Sequence, residues 1–342
     1  MIQTVLGPVR PEEIGRVLPH EHMRCDLRSL VAPLDNGIFY DKVALSNYGA
    51  LSRNPYAVLD NACLDDREAA AKECRLLKKA GFDLIADATT EDFGRDPLFL
   101  RQLSLDTGVH IVAGCGSYTD VSVTEERKSR SVAEMRQRIL DDLLIGMDGT
   151  DIKAGMIGEV GSSEEMTEAE YSFIQAAAEA QSETGFGMHI HACLWNREGL
   201  KALDHAIACG ADPGKVCVNH SDVLLDEGYM MGILERGAWV EFDNFGKEYY
   251  VDRWNRNLLK GSFAYDKERV QLLRKLIDRG YLGQLLITND VCLNSMLHDY
   301  GGWGYDHIGV NVMPMMEDYG ITPEQIDTIT RSNPLRFLER SR

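Results

Sequence analysis

The sequence predicts a (β/α)8 TIM barrel, and three patterns carry that prediction. Short apolar runs alternate with long helical patterns, the signature of parallel β/α units. The runs number eight. Six side chains that favour metals then stand at the carboxyl ends of five of them, where a closed parallel barrel gathers its functional groups on one rim. These are His20 and His22 in VLPHEHM, Glu159 in AGMIGEV, His191 in GMHIHA, His220 in VCVNHSD and Asp290 in LLITND.

In order, the strand candidates are residues 16–22, 82–90, 110–116, 154–161, 186–192, 216–222, 238–244 and 284–290. Helical patterns separate them, and five of these stop at a glycine, in KKAG, SETG, ACG, ERG and DRG, the usual helix stop. Before the fifth strand, Thr167 and Glu170 fit a capping box at the head of TEAEYSFIQAAAEAQSETG. A short hairpin at the amino terminus precedes the barrel, and TPEQIDTITRSNPLRFLER closes it as a final helix. Long loops follow strand 1 (27–65) and strand 7 (244–266), both rich in aromatics, and loops of that length are commonly functional. No linker or low-complexity segment divides the chain, so residues 1–342 are expected to form one domain.

Net charge is −18 with no Lys/Arg-rich stretch, which argues against nucleic acid and anionic membranes as partners. The amino terminus lacks a signal-peptide pattern, and no apolar run approaches the ~20 residues that cross a bilayer. The eight cysteines form no CxxC pair and no framework spacing. A reduced, cytoplasmic protein acting on a small molecule is the expectation.

Residues two apart in a strand face the same side, so His20 and His22 point inward together and Glu21 points away. Barrel closure brings strand 8 beside strand 1, which offers Asp290 as a third ligand to the same cation. His191 and His220, on adjacent strands 5 and 6, suit a second. Glu159 on strand 4 has two oxygens and can bridge metals ~3.5–4 Å apart, which share a water and deprotonate it near neutral pH. Two divalent ions are therefore expected, with zinc fitting the histidine and carboxylate set and manganese, cobalt or iron as alternatives. His189 lies one layer deeper, as a core histidine or a support for the ligands; His110 and His205 read as structural.

With those residues in place, the chain resembles the phosphotriesterase family of the amidohydrolase superfamily. TVLGPVRPEEIGRVLPHEH, GMIGEVGSS, VNHSD, TND, GGWGYDHIGVNVMP and NPLRFL extend the resemblance over nearly the whole chain, and the last stretches resemble the phosphotriesterase-related branch. That branch carries glutamate where organophosphate hydrolases carry a carbamylated lysine, and here Ile157 and Gly158 leave no lysine for that role. Asn244 and Val223 occupy the places of the proton relay behind the strand 8 aspartate.

The resemblance implies a binuclear hydrolase in which a metal-bridging hydroxide attacks and Asp290 shuttles the proton to the leaving group. Lactones and carboxylic esters rank first as substrates, N-acyl amides second, phosphotriesters third. A mononuclear deaminase and a non-catalytic binding protein are the rivals. The resemblance also implies a homodimer. Tyr118 after strand 3, Asp222 beside His220, Lys247 and Arg253 in loop 7 and Trp303 in loop 8 are the candidate substrate contacts, with the two cations suited to an anionic group. Asp222 and Asp243 are also placed to orient His220.

Overall fold

The computed structural model describes residues 1–30, 40–250 and 261–341. Eight parallel strands follow one another around a single sheet: β1 (Arg16–Glu21), β2 (Phe82–Asp87), β3 (His110–Cys115), β4 (Met156–Gly161), β5 (Met188–His191), β6 (Val216–Val218), β7 (Trp239–Phe242) and β8 (Leu285–Ile287). The first and last strands close the barrel, with Thr288 Oγ1 donating to His20 O at 2.8 Å and His22 N donating to Val291 O at 3.2 Å. The predicted (β/α)8 barrel is the observed fold.

The intervening helices are α1 (Arg67–Lys79), α2 (Pro97–Thr107), α3 (Val132–Leu144), α4 (Glu168–Thr184), α5 (Glu198–Ala208), α6 (Glu227–Glu235) and α7 (Asp266–Asp278). Their ends follow the local chemistry of the sequence. Asp66 caps α1 by accepting from Glu68 N and Ala69 N. Thr167 and Glu170 exchange hydrogen bonds across the first turn of α4, as the capping box predicts. The glycines at the five predicted stops all adopt positive φ, from 73° at Gly185 to 98° at Gly210, a backbone region costly to other residues.

Below the rim the barrel is filled by Val17, Leu84, Val112, Met156, Cys217, Trp239 and Leu286. Ile2, from the predicted amino-terminal hairpin (Ile2–Thr4 with Gly7–Val9), and Phe337 plug its base. The closing helix is continuous over 323–338 but widens into a π turn at Thr328–Ser332, just ahead of Pro334, which has no N–H to offer the carbonyl four residues back. Buried Lys215 Nζ donates to the carbonyls of Arg336 and Phe337 at 2.6 and 3.1 Å, tying this helix to the foot of β6.

Two strands depart from regular pairing, β1 between Leu18 and Glu21 and β4 between Ile157 and Val160. Such irregularities re-aim side chains, and these two fall on His20 and Glu159. At β4 the crossing is tight: a Cβ on Gly158 would lie 2.5 Å from Ala88 O, so only glycine fits there.

Candidate metal centre

The six predicted ligands converge at the carboxyl end of the barrel. Glu159 stands between the two histidine pairs. Its Oε2 lies 3.3 Å from His22 Nε2, and its Oε1 lies 3.5 Å from His20 Nε2, 3.1 Å from His191 Nδ1 and 3.0 Å from His220 Nε2. Asp290 Oδ1 is 3.1 Å from His22 Nε2 and 3.7 Å from His20 Nε2. Two overlapping ligand groups result, His20–His22–Glu159 and Glu159–His191–His220, with the glutamate common to both.

The strands end earlier than the sequence suggests at two of these ligands. β6 stops at Val218 and β8 at Ile287, so His220 and Asp290 sit in the turns beyond, with φ of 56° and 48°. Each turn is held by a carboxylate. Asp243 accepts from His220 N at 2.8 Å and lies 3.1 Å from His220 Nδ1, which fixes both backbone and ring. Around Asp290, Glu21 accepts from Thr288 Oγ1 at 2.6 Å, Asn289 N at 2.9 Å and Val291 N at 2.6 Å. Glu21 does face away from the histidines, and this is where it points.

The donor set fits two divalent cations. All six side chains are N or O donors on nearly buried groups, and His20 Nε2 is a buried polar atom with no hydrogen-bond partner among the described residues. The electrostatics also favour positive charge. Burial opposes ionisation of His22 and His220, yet Asp290 and Glu159 beside the first, and Asp243 and Glu159 beside the second, push them up to about 9 and about 10. Burial would likewise raise Glu159, but His20 and His191 hold it well below the usual carboxylate range.

The substrate candidates separate. Lys247 lies inside, its Nζ in direct contact with Asp290 Oδ2. Burial would lower this ammonium, but Asp290 keeps it well above the ordinary lysine value, and Lys247 in return holds Asp290 low against its own burial. Tyr118 lines the same cavity with its ring edge-on to His191, the centroids 4.6 Å apart. Asp222 does not reach the cavity: it is fully buried, accepting from Arg269 Nε at 2.8 Å and Asn244 Nδ2 at 2.7 Å, because a desolvated carboxylate takes the partners behind it. Trp303 lines an adjoining cavity with Tyr48 and Tyr249 instead of the metal pocket. Arg253 lies outside the described residues.

The metal-facing cavity is a concave pocket whose floor is formed by His22, Glu159, His191, His220 and Asp290. Its wall is aromatic and aliphatic, with Leu27, Tyr56, Phe93, Tyr118, Tyr249 and Phe263 around the ligands. Sequence reasoning missed Glu241, one layer below Asp243 on β7. A glutamate alternating with an aspartate inside the apolar run AWVEFDN was the available signal. It also missed Arg269, whose partners are far away in sequence.

A barrel with two ligand groups sharing a carboxylate on its catalytic rim defines a metal-dependent hydrolase. The chain belongs to the Phosphotriesterase family, whose pattern it matches over residues 1–338. It is 36% identical to an N-acetyltaurine hydrolase from Danio rerio, covering 98% of this chain and 97% of that protein. Among solved structures it is similar to a resiniferatoxin-binding protein from Rhodobacter sphaeroides, with TM-score 0.95, 31% identity and coverage of 99% and 95% of the two chains. A variant of a phosphotriesterase-like lactonase from Deinococcus radiodurans superposes with TM-score 0.78 at 27% identity, covering 99% of this chain and all of that one.

Proposed function

We propose that this protein hydrolyses N-acyl amides whose amine portion carries an anionic group. The observation that carries the proposal is Lys247. Among the described residues it is the one lysine or arginine lining the cavity, whose wall away from the candidate ligands is largely aromatic and aliphatic, and it sits beside Asp290, the group expected to handle the leaving amine. A sulfonate or carboxylate on that amine would find its cation there. The name of the Danio rerio relative supports this chemistry over the lactone or ester ranked first from sequence. The similarity to a lactonase keeps that ester reading second.

Bound at His20, His22, Glu159, His191, His220 and Asp290, a pair of divalent ions would supply an activated water and polarise the acyl oxygen. Zinc is the metal proposed for this ligand set. The protein's own groups do the rest. Glu159 sets the separation of the two halves of the site, and Asp243 fixes the ring of His220. Asp290 accepts the proton of the attacking water and returns it to the leaving nitrogen, with Lys247 keeping its carboxylate ionised until then. Tyr56, Phe93, Tyr118 and Tyr249 exclude bulk water and leave room for a compact acyl group. A reducing, cytoplasmic setting and a homodimer complete the proposal, the eight cysteines forming no disulfide with one another.

The test is turnover of zinc- or manganese-loaded protein on N-acyl aminosulfonates, N-acyl amino acids, neutral amides, lactones and phosphotriesters, with Asp290→Asn and Lys247→Met alongside. The proposal expects anionic N-acyl amides to turn over fastest and Asp290→Asn to lose at least ~10²-fold. It also expects Lys247→Met to erase the preference for anionic over neutral amides. Fastest turnover of lactones would refute the amide assignment.

A further inference from the structure

Below the metal ligands, at the level where the barrel interior is otherwise apolar, His189, Asn219 and Glu241 form a polar cluster against His20. All four side chains are completely shielded from solvent. His20 Nδ1 lies 2.9 Å from Glu241 Oε2. Asn219 Nδ2 contacts the same carboxylate oxygen and lies 2.9 Å from His189 Nδ1. The edge of the His189 ring in turn packs on Phe337, at 4.9 Å between centroids, so the cluster rests on the plug of the barrel.

The Glu241 carboxylate constrains where the protons of this cluster lie. An ionised carboxylate only accepts, so both groups that reach Glu241 Oε2 must donate to it. Asn219 Nδ2 lies 3.0 Å from His20 Nδ1 as well, but with His20 Nδ1 donating to Glu241 its second N–H is left for His189 Nδ1. His20 must therefore carry its proton on Nδ1. With Nδ1 committed to Glu241, Nε2 is the ring atom that faces the site, aimed between Glu159 Oε1 and Asp290 Oδ1 at 3.5 and 3.7 Å. The other ligand histidines are oriented differently. His22 Nδ1 meets the Thr89 hydroxyl at 2.8 Å, and His220 is served by Asp243 at the rim.

We infer that Glu241 is the positioning residue for His20: it fixes the ring tautomer, holds the ring's angle and strengthens Nε2 as a donor to the metal shared with His22. Its charge is the reason a glutamate survives in the interior of β7. A carboxylate there, with no lysine or arginine among its described partners, is costly unless a cation lies at the far side of the imidazole it touches. Asn219 and His189 keep the carboxylate from turning away.

The inference rests on the metal-centre reading and is independent of the substrate. The experiment is metal titration of apo-protein with zinc against a competing chelator, and with cobalt, whose d–d absorption reports ligand geometry. Wild type, Glu241→Gln and Glu241→Leu are compared, with circular dichroism of each as the check on folding. The expected result is two equivalents in wild type and one weakened ~10–100-fold in Glu241→Leu, the range seen when such outer partners are lost. The second equivalent keeps its affinity, and the cobalt spectrum of the weakened site changes. Glu241→Gln, which keeps an acceptor for His20 without the charge, should fall between them. Two equivalents of wild-type affinity and spectrum in both variants would overturn the inference. So would loss of both equivalents together with the fold in both variants, which would assign Glu241 to barrel stability alone.

Discussion

Arg269→Met isolates the buried ion pairs that support the rim from outside. Arg269, on the first turn of α7, is completely buried. Its Nε donates to Asp222 at 2.8 Å, Nη1 to Asp266 at 3.0 Å and Nη2 to the Lys247 carbonyl at 3.4 Å. Methionine replaces the stem but none of the donors. Removing one partner of a buried pair costs about 3–5 kcal/mol, because the other charge is left without compensation. Both carboxylates keep a neighbour, Asp222 through Asn244 Nδ2 at 2.7 Å and Asp266 through His307 Nε2 at 2.8 Å, which places the cost near the lower end. Unfolding entropies near 2.1 cal/mol/K per residue give roughly 0.7 kcal/mol/K for this chain, so a loss of about 3 kcal/mol lowers Tm by about 4 °C. Thermal unfolding of metal-saturated protein measures it. Adding Asp222→Asn to the variant removes the stranded charge and should recover at least half of the loss. A Tm within 1 °C of wild type for Arg269→Met, or a double variant as unstable as the summed single changes, would refute the reasoning.

Two further changes probe other layers. Gly158→Ala places a methyl 2.5 Å from the Ala88 carbonyl, the same oxygen that accepts from Glu159 N at 3.3 Å. The overpacking should cost about 1–3 kcal/mol and displace Glu159; elemental analysis should find fewer than two metals bound, and full occupancy at wild-type Tm would contradict this. Lys215→Met tests the plug: burial lowers the Lys215 ammonium to about 8, below the value near 10.4 of an unfolded chain. Between those pH values the unfolded chain binds a proton that the folded one has released, so this group makes stability rise with pH. The advantage of wild type over the variant should therefore grow from pH 8 to pH 10 by at most about 2 kcal/mol, and a constant difference across that range would exclude the effect.

What the sequence revealed and what it hid follow from the range of each interaction. The barrel was legible because each β/α unit carries its own local signals: Thr167 caps α4, Gly185 stops it, and the run to His191 is apolar. The cluster of candidate ligands was legible because a histidine or acid at the end of such a run has no other inexpensive partner. The conformations of His220 and Asp290 were not legible. Their left-handed turns are held by Asp243 and Glu21, from strands 7 and 1, and no local pattern encodes a carboxylate arriving from another strand. The fate of Asp222 was hidden for the same reason, since it is decided by Arg269 across 47 positions of chain. Glu241 shows the boundary most clearly. Its position in an apolar strand marks it as costly, and a costly buried charge implies a partner. Only the closed barrel reveals that the partner is His20, 221 residues away and on the opposite side of the sheet's sequence order. Behind the rim acids Glu159 and Asp290 thus stand three more that shape the rim. Glu21 sets the turn of Asp290, Asp243 sets His220 and Glu241 sets His20, so each carboxylate acts through the ligand beside it.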